Sequence, residues 1–591
     1  MKKLLQFIKD NIAYISLYIS FIVAFVLIEL LGGVSKSIQL DLLHFKDVAR
    51  LILHSMYYGS IIFAVIILFV RKSFTIPLVF LFLYSILAYV NWLYFKFFDS
   101  YMPLTMYTQF QQLNGLSGSI VALMSFRDLL YLAIPIIVLL IHRLLKPLII
   151  SVRFISRLII IGAVILTTSI PMVAMRQYVI KRSQVPSLKN AIYRVIEAQP
   201  SAAYRFYGLI PILQYQIERY SATKKIILTD EYNAIIDSLI ESNINSYYEV
   251  MQLFDAIPAR KNLVIILMES FNTSCIRPDV MPFVDSLSRC ATTLYCPNVN
   301  QMTQGAGSIG GQFVVLTGLS GLKNSVFCID YPENRYPSVA YELKNKFSNL
   351  QSYTVVCTPK NFWRQDIVNK ALGIDSLYGS ESFAQREWIN DSLVFDYAIS
   401  KIPINGTPFL SIVVPGDMHF PYDNNELIDV SLTIDRTNMS DELYEYYRRA
   451  RYVDNQIAKY ISYLVDKKLY EESLIVITSD HQAPFDKLNT SNLSPYFPAL
   501  FINTGINCEE KNKENINIVY GHNQVYPTIL QLLNINPSSW AGVMPSMLDA
   551  DFATRNSLDN LDYVTADQNI IRLYDIQDKM IRGAYWGEGS Y

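Results

Sequence analysis

Three apolar runs in the second half of this chain end in residues that can bind a metal ion or move a proton. Glu269 follows Asn262–Met268, Asp480 and His481 follow Leu474–Thr478 after one serine, and His419 lies in the loop after Phe409–Val414. Two carboxylates and an imidazole form a mixed oxygen and nitrogen donor set, suited to Zn²⁺ or Mn²⁺. A fourth segment supplies a hydroxyl. Thr303-Gln304-Gly305-Ala306-Gly307-Ser308-Ile309-Gly310-Gly311 is dense in glycine and runs into the apolar Phe313–Leu316, so it can open a helix whose free N–H groups face an anion, with Ser308 at its mouth. A serine hydroxyl is a weak nucleophile at neutral pH, and coordination to a divalent cation is one way to prepare it for attack on phosphorus.

Each feature alone has an ordinary structural use: Glu269 as a cap or surface group, Asp480-His481 as a chance pair, the glycine-rich segment as a turn. Their convergence argues for a site. Beyond residue 142 the histidines are His419, His481 and His522; two follow predicted strands and the third precedes a further helix. In an open α/β sheet, ligands bind outside the carboxyl ends of the strands, which is where these residues fall.

The elements that must position them follow from the patterning. From Asn262 onward, short β-branched runs (Leu263–Met268, Tyr353–Cys357, Phe409–Val414, Leu474–Thr478, Ala499–Ile502) alternate with amphipathic stretches such as Tyr446–Leu469. Alternation of strand and helix predicts an α/β domain with a mostly parallel sheet covered on both faces. The first 175 residues are different. Asn11–Ile28, Leu51–Val70, Ser73–Phe95 and Leu158–Met175 carry no Asp, Glu, Lys or Arg, and Leu129–Leu145 carries only Arg143, near its end. Each approaches the roughly 20 residues that cross a bilayer, so five spans are expected. Ser100–Phe126 is uncharged but rich in Gln, Asn and Gly, and reads as an interfacial or re-entrant loop.

Composition agrees with a chain that sits partly in lipid. Of 591 residues, 51% are hydrophobic and 17% charged, with mean hydropathy +0.23. Such a balance excludes a disordered chain, and a net charge of −1 gives no footprint for nucleic acid. Lys2, Lys3, Lys9, Arg71, Lys72, Arg143, Lys146, Arg153 and Arg157 fall on one side of the spans, against Lys36, Lys46, Arg50, Lys96 and Arg127 on the other. The richer side is cytoplasmic, which puts everything after Met175 outside a multi-pass cell membrane protein. Four regions are expected: the spans (1–175), a juxtamembrane helical linker (176–258), an extracytoplasmic catalytic domain (259–550) and its C-terminal extension (551–591). All six cysteines lie in the second half without a CxxC pair, which argues against a zinc ribbon or thioredoxin-type site and leaves disulfides open.

Asn262-Leu-Val-Ile-Ile-Leu-Met-Glu269-Ser270-Phe271, the loop with Ser308, His419-Phe-Pro-Tyr422, Leu474-Ile-Val-Ile-Thr-Ser-Asp480-His481 and Val525-Tyr-Pro-Thr-Ile-Leu-Gln-Leu-Leu533 occur in an order that resembles the sulfatase-like branch of the alkaline phosphatase superfamily. With five spans in front, the chain is similar to the lipoteichoic acid synthase group of phosphoglycerol transferases. That resemblance implies that Glu269, Ser308, Asp480 and His481 hold one divalent ion, Mn²⁺ or Zn²⁺, and that Ser308 is the nucleophile. It implies that His419 contacts substrate or protonates the leaving group, and that Trp363 and Arg364, in Asn361-Phe-Trp-Arg364, contact substrate. The implied reaction takes phosphoglycerol, or a similar head-group phosphate, from a phospholipid donor to an envelope glycan or lipid acceptor. Gly416-Asp-Met-His419-Phe-Pro-Tyr422 also resembles the phosphoethanolamine transferases, and a membrane-anchored phosphodiesterase or sulfatase-like hydrolase would use the same residues with water. Three positions depart from the group's pattern. Ser308 stands where Thr is usual, Gly310 and Gln312 replace acidic residues after the nucleophile, and the histidine before Phe-Trp is absent. Ser308-Ile-Gly-Gly-Gln312 lacks the Pro and Arg of a formylglycine sulfatase motif.

Overall fold

The computed structural model describes residues 2–33, 42–69, 75–98, 101–108, 121, 124–149, 154–183, 187–198, 200–223, 226–252, 257–258, 260–303, 307–322, 325–383, 390–420, 422, 428–437, 439–483, 488, 493–537, 540–549 and 568–588. They form two compact units, one mainly Met1–Leu104 with Ile120–Ala222, the other mainly Thr223–Leu561 with Thr565–Tyr591.

Long apolar helices build the first unit: Ile12–Gly33, Leu42–Phe69, Thr75–Phe98, Leu130–Ile149 and Phe154–Ser183. Among the described residues, four helical stretches are long and apolar enough to cross a membrane: Ile15–Gly32, Val48–Ile66, Thr75–Lys96 and Phe126–Leu145. Of the fifth expected span, Leu158–Met175, an apolar helical stretch is found over Leu158–Ile170 among the described residues. The helix that contains it has 30 residues, which at 1.5 Å per residue reaches about 45 Å. Of Ser100–Phe126, a 3-10 turn at Leu104–Thr108 is described, and 109–120 lie outside the described residues.

The first span carries a charge one residue beyond the uncharged run read from the sequence. Glu29 is buried at 1% exposure. The Tyr84 hydroxyl donates to its Oε1, and the Leu209 N–H donates to both carboxylate oxygens at 3.2 and 3.1 Å. Gly208, at φ 79, lies against this carboxyl, and a Cβ there would stand 2.9 Å from the Glu29 Cδ. The helices Leu188–Ala198, Pro200–Tyr207 and Leu209–Thr223 belong to this unit, whereas Asp230–Met251 belongs to the second.

The second unit is built on eight strands: β1 (Asn262–Met268), β2 (Leu294–Asn300), β3 (Gln351–Val356), β4 (Ser376–Tyr378), β5 (Phe409–Val414), β6 (Ser473–Ser479), β7 (Phe497–Ile502) and β8 (Tyr520–Gly521). Their order is β4-β3-β5-β1-β6-β7-β2-β8. All pairings are parallel except those of β7 with β6 and β2. Every residue of β1, β5, β6 and β7 is buried, as strands covered on both faces require. The helix Asp441–Asp466 starts at Ser440, whose hydroxyl accepts from the Leu443 N–H at 3.0 Å. It buries Tyr446, Ala450, Val453, Ile457, Tyr460 and Leu464, a stripe at helical spacing. The helix Gln568–Arg582 is part of the same unit: the Ser320 N–H donates to Gln577 Oε1 at 2.9 Å, and Gln577 Nε2 returns a bond to the Ser320 carbonyl at 3.2 Å. All six cysteines are free, and Cys290 alone among them is exposed.

Candidate active site

β1 and β6 run side by side in register, with Met268 opposite Ser479. Glu269 and Asp480 therefore leave the sheet as neighbours at its carboxyl edge. The nucleophile candidate reaches the same point from a helix, Gly307–Thr317, with Ser308 in the first turn. That helix lies on the backbone of β6's end. A Cβ on Gly311 would fall 2.3 Å from the Asp480 carbonyl oxygen and 2.5 Å from its Cα, so only glycine permits the approach. Ser308 sits three residues before Gly311, on the same helical face.

The side chains converge accordingly. Ser308 Oγ donates to Glu269 Oε2 at 3.1 Å and lies 3.5 Å from His481 Nε2. His481 Nε2 lies 3.3 Å from Glu269 Oε1 and 3.6 Å from Asp480 Oδ2. One ligand atom from each of Glu269, Asp480 and His481 lies within 4.8 Å of the others. The His481 ring is oriented from behind, Nδ1 facing the Gln482 carbonyl at 3.0 Å, while the Gln482 N–H donates to Gln301 Oε1 at 2.8 Å.

Electrostatically the cluster is short of positive charge. Burial raises the Glu269 carboxyl, but His481 and His419 outweigh it and hold the group well below the usual carboxylate range. Burial, then the Glu269 charge, push Asp480 up. Burial disfavours charge on His481, yet the two carboxylates beside it drive its pKa up to about 10. Asp480 Oδ2 is fully buried and makes no hydrogen bond. An orphaned carboxylate oxygen beside a carboxylate, an imidazole and a hydroxyl fits a divalent cation.

His419 is half-buried on the loop after β5, its N–H donating to the Gly416 carbonyl at 2.9 Å. Burial lowers its pKa; Glu269 opposes that and His481 adds to it, so the ring shares the field of the cluster. Its loop is pinned by a pair that sequence reasoning missed. Asp391 Oδ1 accepts from the Gly416 N–H at 2.6 Å, and Asp417 Oδ2 accepts from the Asp391 N–H at 2.7 Å. Neither carboxylate stands in a ligand pattern, so only the fold reveals them. Trp363 and Arg364 follow β3 and both adopt left-handed φ, 53° and 55°. The next residue, Gln365, accepts from Gln312 Nε2 at 3.3 Å, which ties this segment to the Ser308 helix. Gln312, uncharged where the resemblance predicts an acid, thus has a structural partner. His522 is fully buried with its ring edge-on to Phe497 at 4.9 Å, and burial followed by the His481 charge push its pKa down to about 3.

Residues 261–535 match the sulfatase family model. Residues 1–191 match the model of the lipoteichoic acid synthase N-terminal domain. Lipoteichoic acid synthase of Staphylococcus saprophyticus is 24% identical over 538 residues, covering 85% of this chain and 80% of that protein. The Staphylococcus aureus (strain USA300) enzyme is 24% identical over 526 residues, 85% and 79% respectively. Among solved structures, the lipoteichoic acid synthase LtaP from Listeria monocytogenes aligns at TM-score 0.43 and 16% identity, covering 58% of this chain and 97% of that one. The Streptococcus pyogenes phosphoglycerol transferase GacH, in complex with sn-glycerol-1-phosphate, aligns at 0.43 and 14%, covering 61% and 94%.

Proposed function

We propose that this protein is a membrane phosphotransferase that moves phosphoglycerol from a phospholipid to an envelope glycan or lipid acceptor through a covalent intermediate on Ser308. The observation that carries the reading is the Ser308 hydroxyl, in the first turn of a helix, 3.1 Å from Glu269 and 3.5 Å from His481, beside a three-ligand cluster of two buried carboxylates and a half-buried imidazole. Glu269, Asp480, His481 and Ser308 would hold Mn²⁺ or Zn²⁺, which when bound polarises the phosphoryl oxygens and favours the ionised serine. The free N–H groups at the start of Gly307–Thr317 favour the anionic phosphate. Ser308 Oγ forms a bond to phosphorus as the bond to the diacylglycerol oxygen breaks, and His419 gives that oxygen its proton. In the second half, His419 takes the proton of the acceptor hydroxyl, whose oxygen attacks phosphorus and releases Ser308. Trp363 and Arg364 would contact the glycerol phosphate.

In this reading the phospholipid donor is reached from the outer face, the α/β unit lies outside the cytoplasm and Phe154–Ser183 completes the crossing. The domain layout is then 1–175 in the membrane, 176–258 as linker, 259–550 catalytic and 551–591 its extension.

Mass spectrometry of the Ser308 peptide after incubation with phosphatidylglycerol or phosphatidylethanolamine tests the reading. A glycerophosphoryl adduct with the first lipid is expected, and a phosphoethanolamine adduct with the second alone would reassign the head group. Ser308→Ala should lower turnover by roughly 10⁴-fold or more, whereas Ser308→Thr should keep measurable activity. Near-normal turnover in Ser308→Ala removes the covalent mechanism.

A further inference from the structure

Ser270, directly after Glu269, is buried at 2% exposure and holds a left-handed backbone at φ 51. A serine pays for that conformation, and such strain persists where surrounding contacts over-determine it. Three of its groups are committed. Its N–H donates to Asp480 Oδ1 at 2.9 Å, its hydroxyl donates to Glu269 Oε1 at 2.8 Å, and its carbonyl accepts from the Tyr446 hydroxyl at 2.6 Å. The neighbouring Phe271 N–H donates to Ser479 Oγ at 2.8 Å, and that hydroxyl donates to the His481 carbonyl at 2.6 Å.

We infer that Ser270 is the positioning residue of the metal centre. It engages one oxygen of each carboxylate. The other two are Glu269 Oε2, which Ser308 addresses, and Asp480 Oδ2, which makes no hydrogen bond. Asp480 Oδ1 also accepts from the His481 N–H at 2.7 Å, and Glu269 Oε1 lies 3.3 Å from His481 Nε2, so Ser270 is the residue that bridges the two carboxylates, and Tyr446, from the helix Asp441–Asp466, anchors its carbonyl. The inference rests on the metal reading proposed above and adds a residue that does not itself bind the ion.

The test is isothermal titration of the full-length protein in detergent with Mn²⁺, alongside the melting temperature of the chelated form. Ser270→Gly keeps the N–H and adopts the same φ freely while losing the hydroxyl. It should raise the Mn²⁺ dissociation constant roughly 10- to 100-fold, the usual effect of removing a group that orients a ligand, without lowering the metal-free melting temperature. Tyr446→Phe should weaken Mn²⁺ binding in the same direction. Wild-type Mn²⁺ affinity in Ser270→Gly overturns the proposal, and so does a lowered metal-free melting temperature with unchanged affinity. A wild-type protein that takes up no Mn²⁺ overturns this and the metal reading together. Failure of the transfer reading shows separately, as absence of a Ser308 adduct despite Mn²⁺ binding.

Discussion

Side chains in one cluster can differ in what their loss removes. Asp480 and His481 face the centre with Glu269, so Asp480→Ala or His481→Ala should lower metal content and activity together. His419 feels the cluster's field from a separate loop, so His419→Ala should lose activity while binding about one metal per chain. Elemental analysis of the three variants separates ligand from acid-base group; the reverse pattern would show the ligand assignment to be wrong. Asp417 offers a test by pH. Burial raises its carboxyl from 3.8 to about 6, so the folded chain holds the proton more tightly than the unfolded one in that window. The resulting stabilisation is complete below about pH 4 and is lost as pH rises through 6. Asp417→Asn should therefore remove a rise in stability that wild type gains on going from pH 6 to 4. Melting curves of both proteins across that range check it; parallel curves would mean the group is not protonated in the fold.

At the level of elements, the Ser308 helix and the end of β6 have no room between them. Gly311→Ala must push the helix off Asp480, because the clash is with backbone rather than a movable side chain. A shift of about 1 Å at the nucleophile should cost on the order of 10²-fold in turnover, with the overall circular dichroism unchanged. Activity near wild type would show that the helix can slide. The same contact explains what the sequence could and could not disclose. β1, β5, β6 and β7 are buried throughout and read as continuous apolar runs, so their ends, and with them Glu269, His419, Asp480 and His481, were visible in advance. β2 is interrupted at Pro297 by a register shift, β4 is three half-buried residues and β8 only two buried ones, so none has a pattern to find. Ser270 and the Asp391–Asp417 pair were hidden for another reason. Their roles lie in hydrogen bonds between residues far apart in sequence, and no local spacing encodes those.

For the molecule as a whole, the six cysteines provide an address label. All lie in the α/β unit, and of the six only Cys290 is exposed. A membrane-impermeant maleimide added to spheroplasts should mark one site per chain, and Cys290→Ser should abolish the mark. Labelling only after the membrane is opened would place the unit in the cytoplasm and overturn the proposed orientation.

The Glu29 carboxylate has a consequence for how such a chain is made. Its partners arrive late: the Tyr84 hydroxyl is 55 residues downstream and the Leu209 N–H is 180. During synthesis the first span thus enters lipid with an acidic group whose first partner is 55 residues behind it, and the Leu209 N–H stays missing until the ribosome has passed that residue. Only then is the group fully partnered, so the membrane unit is finished by a segment beyond its last hydrophobic helix.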